Sequence, residues 1–384
     1  MRFEFATATR IIFGQGVVQE LAALAKPFGK RAMVITGNRR LRHAAIINGL
    51  EGAGFTCNLF AVSGEPTVSL VREGADLLRA ASSNLVIAIG GGSVIDAAKA
   101  IAALAANPGD VLDYLEVIGQ GRPLPNTPLP FIAVPTTAGT GSEVTRNAVL
   151  GSPEQGVKAS LRSPSMLPAI ALVDPELTFG LPPEITAYTG LDALTQLIEP
   201  FVCIRANPLT DSFCRDGLAR AARSLAAACE NGRDKEARIG MSYASLLGGL
   251  ALANAGLGVV HGFAAPVGGM FDAPHGAICA AILPHGMAAN IKALRDRAPE
   301  SSSLIRYAEI ARILTGRPDA TPEEGATWVR NFVARLRIPT LRTYGIAETH
   351  IPALAEKARW ASSMKANPLP LTQDELAGVL QASL

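Results

Sequence analysis

Along the first 180 residues, uninterrupted apolar runs alternate with segments whose apolar positions recur at helical spacing. The runs are residues 32–36, 85–89, 131–134 and 170–173. Continuous apolar runs of this length are the pattern of strands buried on both faces of a sheet. The first runs into Gly37-Asn38, the second into Gly90-Gly91-Gly92, the third into Pro135 and the fourth into Asp174-Pro175. Between them, residues 69–81 and 94–106 carry helical spacing. Strand, punctuating turn and helix, repeated, predict a parallel sheet with crossover helices. From Pro182 onward the texture changes: residues 190–201, 211–228, 235–254 and 303–314 read as helices, and no strand pattern appears. The expected organisation is an α/β nucleotide-type domain over residues 1–180 and an all-α domain over 181–384, divided at Gly180-Leu181-Pro182-Pro183.

Composition sharpens the second half. Only 18% of the 384 residues are charged, against about 25% in an average soluble domain. Residues 240–271 contain no Asp, Glu, Lys or Arg, and Tyr243 and His261 are their only titratable side chains. A run of that length invites comparison with a membrane span. Ser242, Ser245, Asn254, Pro266 and scattered glycines contradict it, and no basic flank sets an orientation. Buried helices of a soluble core are expected instead.

The charge balance excludes further classes. Lys+Arg 35 against Asp+Glu 33 leaves a formal charge of +2, and no basic block points to nucleic acid or an anionic membrane. Arg2 and Glu4 interrupt the N-terminus, so no signal peptide is read there. The five cysteines show no CxxC spacing and read as reduced thiols of a cytoplasmic protein.

Two turns carry candidate chemistry. Gly90-Gly91-Gly92-Ser93 closes a buried strand and opens a helix through Asp96 and Lys99. Glycine lets the backbone approach a ligand closely, and the helix N-terminus offers unpaired N–H groups to a pyrophosphate. The segment is neither a strict GxGxxG nor a P-loop. The second turn, Pro135 to Thr145, again follows a strand and carries the hydroxyls of Thr136, Thr137, Thr140 and Ser142. A plain surface turn is the alternative reading of either one alone. Two such loops after parallel strands favour a dinucleotide.

In the second half, Asp192 and Gln196 stand four residues apart on one helix face, and His261 and His275 are each followed by glycine. A lone apolar-segment histidine is more often a hydrogen-bonded core residue than a ligand. Here a buried carboxylate needs a positive partner, and no Lys or Arg lies near Asp192 in sequence. A divalent cation meets that need. One carboxylate and two imidazoles leave a coordination position open, as catalytic metal sites do.

These residues together resemble the iron-containing (group III) alcohol dehydrogenase family, related to glycerol dehydrogenase, maleylacetate reductase and dehydroquinate synthase. The likeness runs over nearly the whole chain. It rests on Ile12-Phe13-Gly14-Gln15-Gly16, Gly90-Gly91-Gly92-Ser93 with Asp96 and Lys99, and Pro135 to Thr145. It continues through Leu172-Val173-Asp174-Pro175-Glu176-Leu177, Gly190 to Thr195, His261-Gly262 and Pro274-His275-Gly276.

The resemblance implies a Rossmann-like domain that binds NAD(P) and a helical domain that holds one divalent metal, Fe(II) or Zn(II). Gly91, Gly92 and Ser93 would cradle the pyrophosphate, Thr136 and Thr137 would contact the adenine and ribose side, and Lys158 would reach the cofactor. Gly37, Asn38, Asp96, Thr140 and Ser142 complete the expected nucleotide site. Asp192, His261 and His275 would be catalytic and would bind the metal, with Gln196 as a further candidate ligand. The expected substrate is a small alcohol or aldehyde, and a homo-oligomer is expected because relatives are commonly dimers or larger.

Three departures matter. Gln196 stands where the family usually has histidine, and a glutamine oxygen suits Fe(II) less well than imidazole. Ala265 stands where many relatives have a second histidine of a proton relay, a task for which His285 is one candidate. Gly37-Asn38-Arg39-Arg40 lacks the aspartate of NAD-preferring relatives, which favours NADP(H). The alternatives are a maleylacetate-reductase-like enzyme without catalytic metal and, from another class, a dehydroquinate-synthase-like lyase. The second would need a basic cluster for a phosphorylated sugar acid, and none lies beside the metal motifs.

Overall fold

The computed structural model describes residues 2–384, with the side chain of Arg40, one of the two arginines after the first predicted strand, outside the described residues. The chain divides into two compact units: residues 6–137 with 141–179, and residues 2–5, 138–140 and 180–384.

The first unit is built on six parallel strands: β1 (Arg10–Phe13), β2 (Arg31–Gly37), β3 (Thr56–Val62), β4 (Leu85–Gly90), β5 (Phe131–Pro135) and β8 (Ile170–Val173). Their spatial order is β1-β8-β5-β4-β2-β3. A separate antiparallel hairpin joins β6 (Asn147–Ser152) to β7 (Val157–Arg162). Helices α1 (Leu21–Ala25), α2 (Ala44–Gly52), α3 (Val68–Ala80), α4 (Gly92–Ala106) and α5 (Val111–Tyr114) complete it.

Every residue of β4 is buried, and its side chains alternate between two cores. Leu85, Ile87 and Ile89 meet Leu21, Ala25, Ile47 and Leu50 on one face. Val86 and Ala88 meet Val71, Ala75, Ile95 and Ile101 on the other. Two-sided burial is why the interior strands appear in sequence as unbroken apolar runs. The edge strands β1 and β3 do not. β3 exposes Thr56, Leu59 and Ala61 and includes Asn58, so its apolar pattern is broken where one side meets solvent.

The chain passes from β2 outward to β3, then returns to β4 on the other side of β2. That reversal opens a crevice beyond the carboxyl ends of β2 and β4, the usual ligand position of such sheets.

The second unit is built of helices, with no strand among its described residues. Its helices are α6 (Pro183–Val202), α7 (Pro208–Glu230), α8 (Lys235–Asn254), α9 (Val259–Met270), α10 (His275–Arg297), α11 (Ser302–Thr315), α12 (Pro322–Arg335), α13 (Ile351–Trp360) and α14 (Gln373–Ser383). Local chemistry sets their starts: Asn207 and Asp234 cap α7 and α8 through their side chains. Small residues let α6, α7 and α8 approach closely. A Cβ at Gly190 would fall 2.2 Å from Leu225, and one at Gly217 would fall 2.4 Å from Leu197.

The uncharged stretch does not form one rod. It breaks after Asn254, and α8 and α9 meet at 95°. Gly256 takes φ +146° at this corner, a conformation that favours glycine. Helix α10 is the one described helix long and apolar enough to cross a membrane, and 78% of its apolar window is buried in the protein. Core helices commonly combine these properties.

Candidate functional site

The ladder sets the turns after β2, β4 and β5 side by side, with Thr36 opposite Ile89 and Gly90 opposite Pro135. Gly91 is the N-cap of α4 and makes no side-chain cap, so the first amides of a four-turn helix stay available to an anion. Gly92 and Ser93 are half-buried beside it. Thr136 donates its backbone N–H to Gly90 O at 2.9 Å. A Cβ at Gly91 would lie 3.2 Å from Thr137 Oγ1, so the glycine keeps this turn open. Asn38 is exposed at the end of β2 and donates from Nδ2 to Ser63 Oγ at 2.6 Å.

Other expected nucleotide contacts have protein partners. Asp96 accepts from Ser142 Oγ and from Val149 N. Lys99 is buried and donates to Ser142 Oγ at 3.0 Å, Thr145 Oγ1 at 2.8 Å and Asn147 O at 3.0 Å. These groups clamp the loop after β5 onto α4 beneath the cradle. Lys158 pairs with Glu65 at 2.5 Å. Thr140 belongs to the helical unit, whereas Thr136, Thr137 and Ser142 belong to the sheet unit.

The clamp shifts two titrations. Burial lowers Lys99 to about 8, against the pull of Asp96 and Glu143. Burial raises Glu143 from 4.5 to about 7, against the pull of Lys99. Between these two glutamate values the folded state holds the proton that the unfolded state has lost. The stability contributed by Glu143 is therefore full below 4.5 and gone above about 7. Glu143→Gln is expected to flatten that decline, checked by thermal melts of both proteins at about pH 5 and pH 8. Equal declines in the two proteins would rule it out.

Three helices build the second cluster. Asp192 and Gln196 lie on one face of α6, His261 is on α9 and His275 is at the start of α10. Asp192 Oδ1 lies 3.4 Å from His261 Nε2 and 3.6 Å from His275 Nε2. Gln196 Nε2 donates to Asp192 Oδ2 at 2.9 Å. Asp192 Oδ1, His261 Nε2 and Gln196 Oε1 are buried and have no hydrogen-bond partner. Buried polar atoms rarely stay unsatisfied. A carboxylate oxygen and an imidazole nitrogen converging in this way fit a divalent cation between them.

Burial would raise Asp192, but His275 and His261 beside it outweigh that and hold its carboxyl below the ordinary range. Burial would lower His261, but Cys279, Asp192 and Glu199 together push it well above the ordinary imidazole range. Gly276 fits the start of α10 against α6, where a Cβ would fall 2.5 Å from Tyr188 O.

Glu199 is the neighbour of this cluster that sequence reasoning missed. It accepts from His261 Nδ1 at 2.6 Å and from Val260 N at 2.7 Å. One carboxylate thus caps α9 and orients the imidazole. Gly258 leaves room for it, since a Cβ there would lie 2.9 Å from Glu199 Oε1. The available signal was spacing: Asp192, Gln196 and Glu199 recur at i, i+4 and i+7. His285 lies on α10, ten residues and about 15 Å beyond His275, too far to share this cluster. Glu199→Gln is expected to weaken metal binding by about 10–100-fold, measured by competition with a chelating dye. Unchanged affinity would dismiss the orienting role.

Comparison with known proteins matches residues 8–175 to the model of the iron-containing alcohol dehydrogenases and residues 186–384 to its Fe-containing alcohol dehydrogenase C-terminal counterpart. Alcohol dehydrogenase 4 of Saccharomyces cerevisiae is 35% identical over 375 residues, 96% of this chain and 95% of that protein. A solved structure of 1,3-propanediol oxidoreductase superposes with a TM-score of 0.90 at 32% identity, covering 100% of each chain. The structure of sulfoacetaldehyde reductase from Bifidobacterium kashiwanohense in complex with NAD+ gives 0.87 at 30% identity, covering 100% of this chain and 99% of the other.

Proposed function

The chain belongs to the iron-containing alcohol dehydrogenase family of oxidoreductases acting on CH–OH groups, and on that premise we propose a metal-dependent, NAD(P)-linked alcohol dehydrogenase or aldehyde reductase. The observation that carries the metal dependence is the convergence of Asp192 Oδ1 and His261 Nε2, both buried and unpartnered, with His275 Nε2.

When bound, the nicotinamide carries the hydride and the cation polarises the substrate oxygen. The protein's part is to hold both. Asp192, His261 and His275 supply one negative and two neutral donors to the cation. Glu199 accepts the Nδ1 proton of His261, which turns the lone pair on Nε2 toward the centre. Gly91, Gly92 and Ser93 present the open end of α4 to the pyrophosphate, with Thr136 and Thr137 on the adjoining turn. The exposed Asn38 and Arg39 supply no carboxylate to repel a 2′-phosphate, which supports NADP(H). The NAD+ bound by sulfoacetaldehyde reductase supports the broader dinucleotide assignment.

Metal analysis of the purified protein, with an aldehyde and alcohol panel assayed before and after chelation, tests this reading. About one divalent ion per chain and loss of activity on its removal are the expected results. Activity that survives exhaustive chelation would favour the maleylacetate-reductase-like alternative. Tighter binding of NADH than of NADPH would overturn the coenzyme preference.

A further inference from the structure

Resting on the reading that Asp192, His261 and His275 hold a divalent cation, we infer that Cys279 is its fourth protein ligand, as a thiolate, and that Gln196 is a positioning residue for Asp192. Cys279 follows His275 by one helical turn on α10 and is completely buried. Its Sγ lies 3.6 Å from His275 Nε2. One donor atom from each of Asp192, His261, His275 and Cys279 falls within 4.8 Å of all the others.

The spacing within this cluster is selective. A tetrahedral ion with metal–N/O bonds of about 2.1 Å and a metal–S bond of about 2.3 Å sets N/O donors about 3.4 Å apart and an N–S pair about 3.6 Å apart. The observed separations are 3.4 and 3.6 Å from Asp192 Oδ1 to the two imidazoles, and 3.6 Å from His275 to the sulfur. These three separations match edges of a coordination tetrahedron and the other donor pairs stay within 4.8 Å, so a substrate oxygen would enter as a fifth ligand.

Gln196 is otherwise engaged. Only the NH2 end of an amide can donate to a carboxylate, and that end faces Asp192 Oδ2. The carbonyl Oε1 lies 3.6 Å from the place a Cβ on Gly248 would occupy, toward α8. Glutamine thus steadies one carboxylate oxygen and leaves the other for the cation. Glu199 is committed to His261 Nδ1 and Val260 N.

A thiolate changes the chemistry of the site. On metal loading the Cys279 S–H bond breaks, an S–metal bond forms and the proton leaves to solvent. A set of one sulfur, two nitrogens and one oxygen favours Zn(II) or Co(II) over harder ions such as Mg(II) and Mn(II). Cysteine and histidine together are characteristic of zinc sites.

Cobalt reports the sulfur directly. Protein stripped by chelation and reloaded with Co(II) is expected to show a thiolate-to-cobalt charge-transfer band in the near ultraviolet. Cys279→Ser is expected to lose that band and to bind Co(II) at least about tenfold more weakly, whereas Gln196→Leu keeps the band. X-ray absorption of the zinc-loaded parent needs no variant, and one sulfur at about 2.3 Å is expected. Stoichiometric cobalt without a charge-transfer band, zinc without sulfur, or a band that survives Cys279→Ser each overturns the thiolate and leaves the metal reading standing. A parent that takes up no ion overturns both.

Discussion

Asp192→Asn is expected to lower kcat/KM by about three orders of magnitude and to abolish stoichiometric metal binding. The exchange keeps the shape of the side chain and removes its charge. Asp192 is the hub of the cluster, since its Oδ1 lies 3.4 and 3.6 Å from the Nε2 atoms of His261 and His275 and its Oδ2 accepts from Gln196. Polarisation of a substrate oxygen by a metal contributes several kcal/mol, and each 1.4 kcal/mol is a factor of ten in rate. Steady-state kinetics, metal analysis and a thermal melt on the same preparation separate this loss from simple unfolding. A folded Asp192→Asn protein that keeps its ion and most of its activity would refute the proposed centre.

Gly91→Val is expected to weaken NAD(P)H binding by at least about a hundredfold while leaving metal content unchanged. Strain is not the cause, because Gly91 has φ −76° and ψ −174°, which valine tolerates. Space is the cause. The first added carbon meets Thr137 at 3.2–3.3 Å, and two further methyls at this N-cap position are expected to crowd a phosphate away from the open amides of α4. Losing two hydrogen bonds to a charged phosphate costs about 3 kcal/mol or more, or about two powers of ten in affinity. Titration of nucleotide fluorescence checks it. Unaltered affinity would place the pyrophosphate elsewhere.

The buried strands were the most legible part of the fold. Residues 85–89 are apolar without interruption because β4 is covered on both faces, and the observed strand adds only Gly90. Helix α8 was legible to its ends, since Asp234 supplies a local cap and Asn254 precedes the corner at Gly256. The edge strands β1 and β3 and the hairpin β6–β7 carried weaker patterns because solvent admits polar residues on their open sides. In the candidate site, Asp192, His261 and His275 could be picked out as chemically unusual residues in apolar surroundings. Glu199 and Cys279 could not, because a glutamate and a cysteine in a helix have many ordinary explanations.

By itself, the sequence determined the class of the fold and the kinds of chemistry available: interior strands, glycine turns at their ends, apolar helices and a few buried polar side chains. Periodicity, capping and turn formation act between near neighbours, so they are written locally. Tertiary structure alone decided which of those side chains meet. The 95° corner between α8 and α9 and the placement of His261 beside Asp192 and Glu199 depend on segments far apart along the chain. So does the arrangement in which Gln196 donates to Asp192 Oδ2 and Cys279 Sγ stands 3.6 Å from His275 Nε2. The physical reason is that a ligand set is defined by distances of a few ångströms between helices, and those distances exist only after the helices have packed.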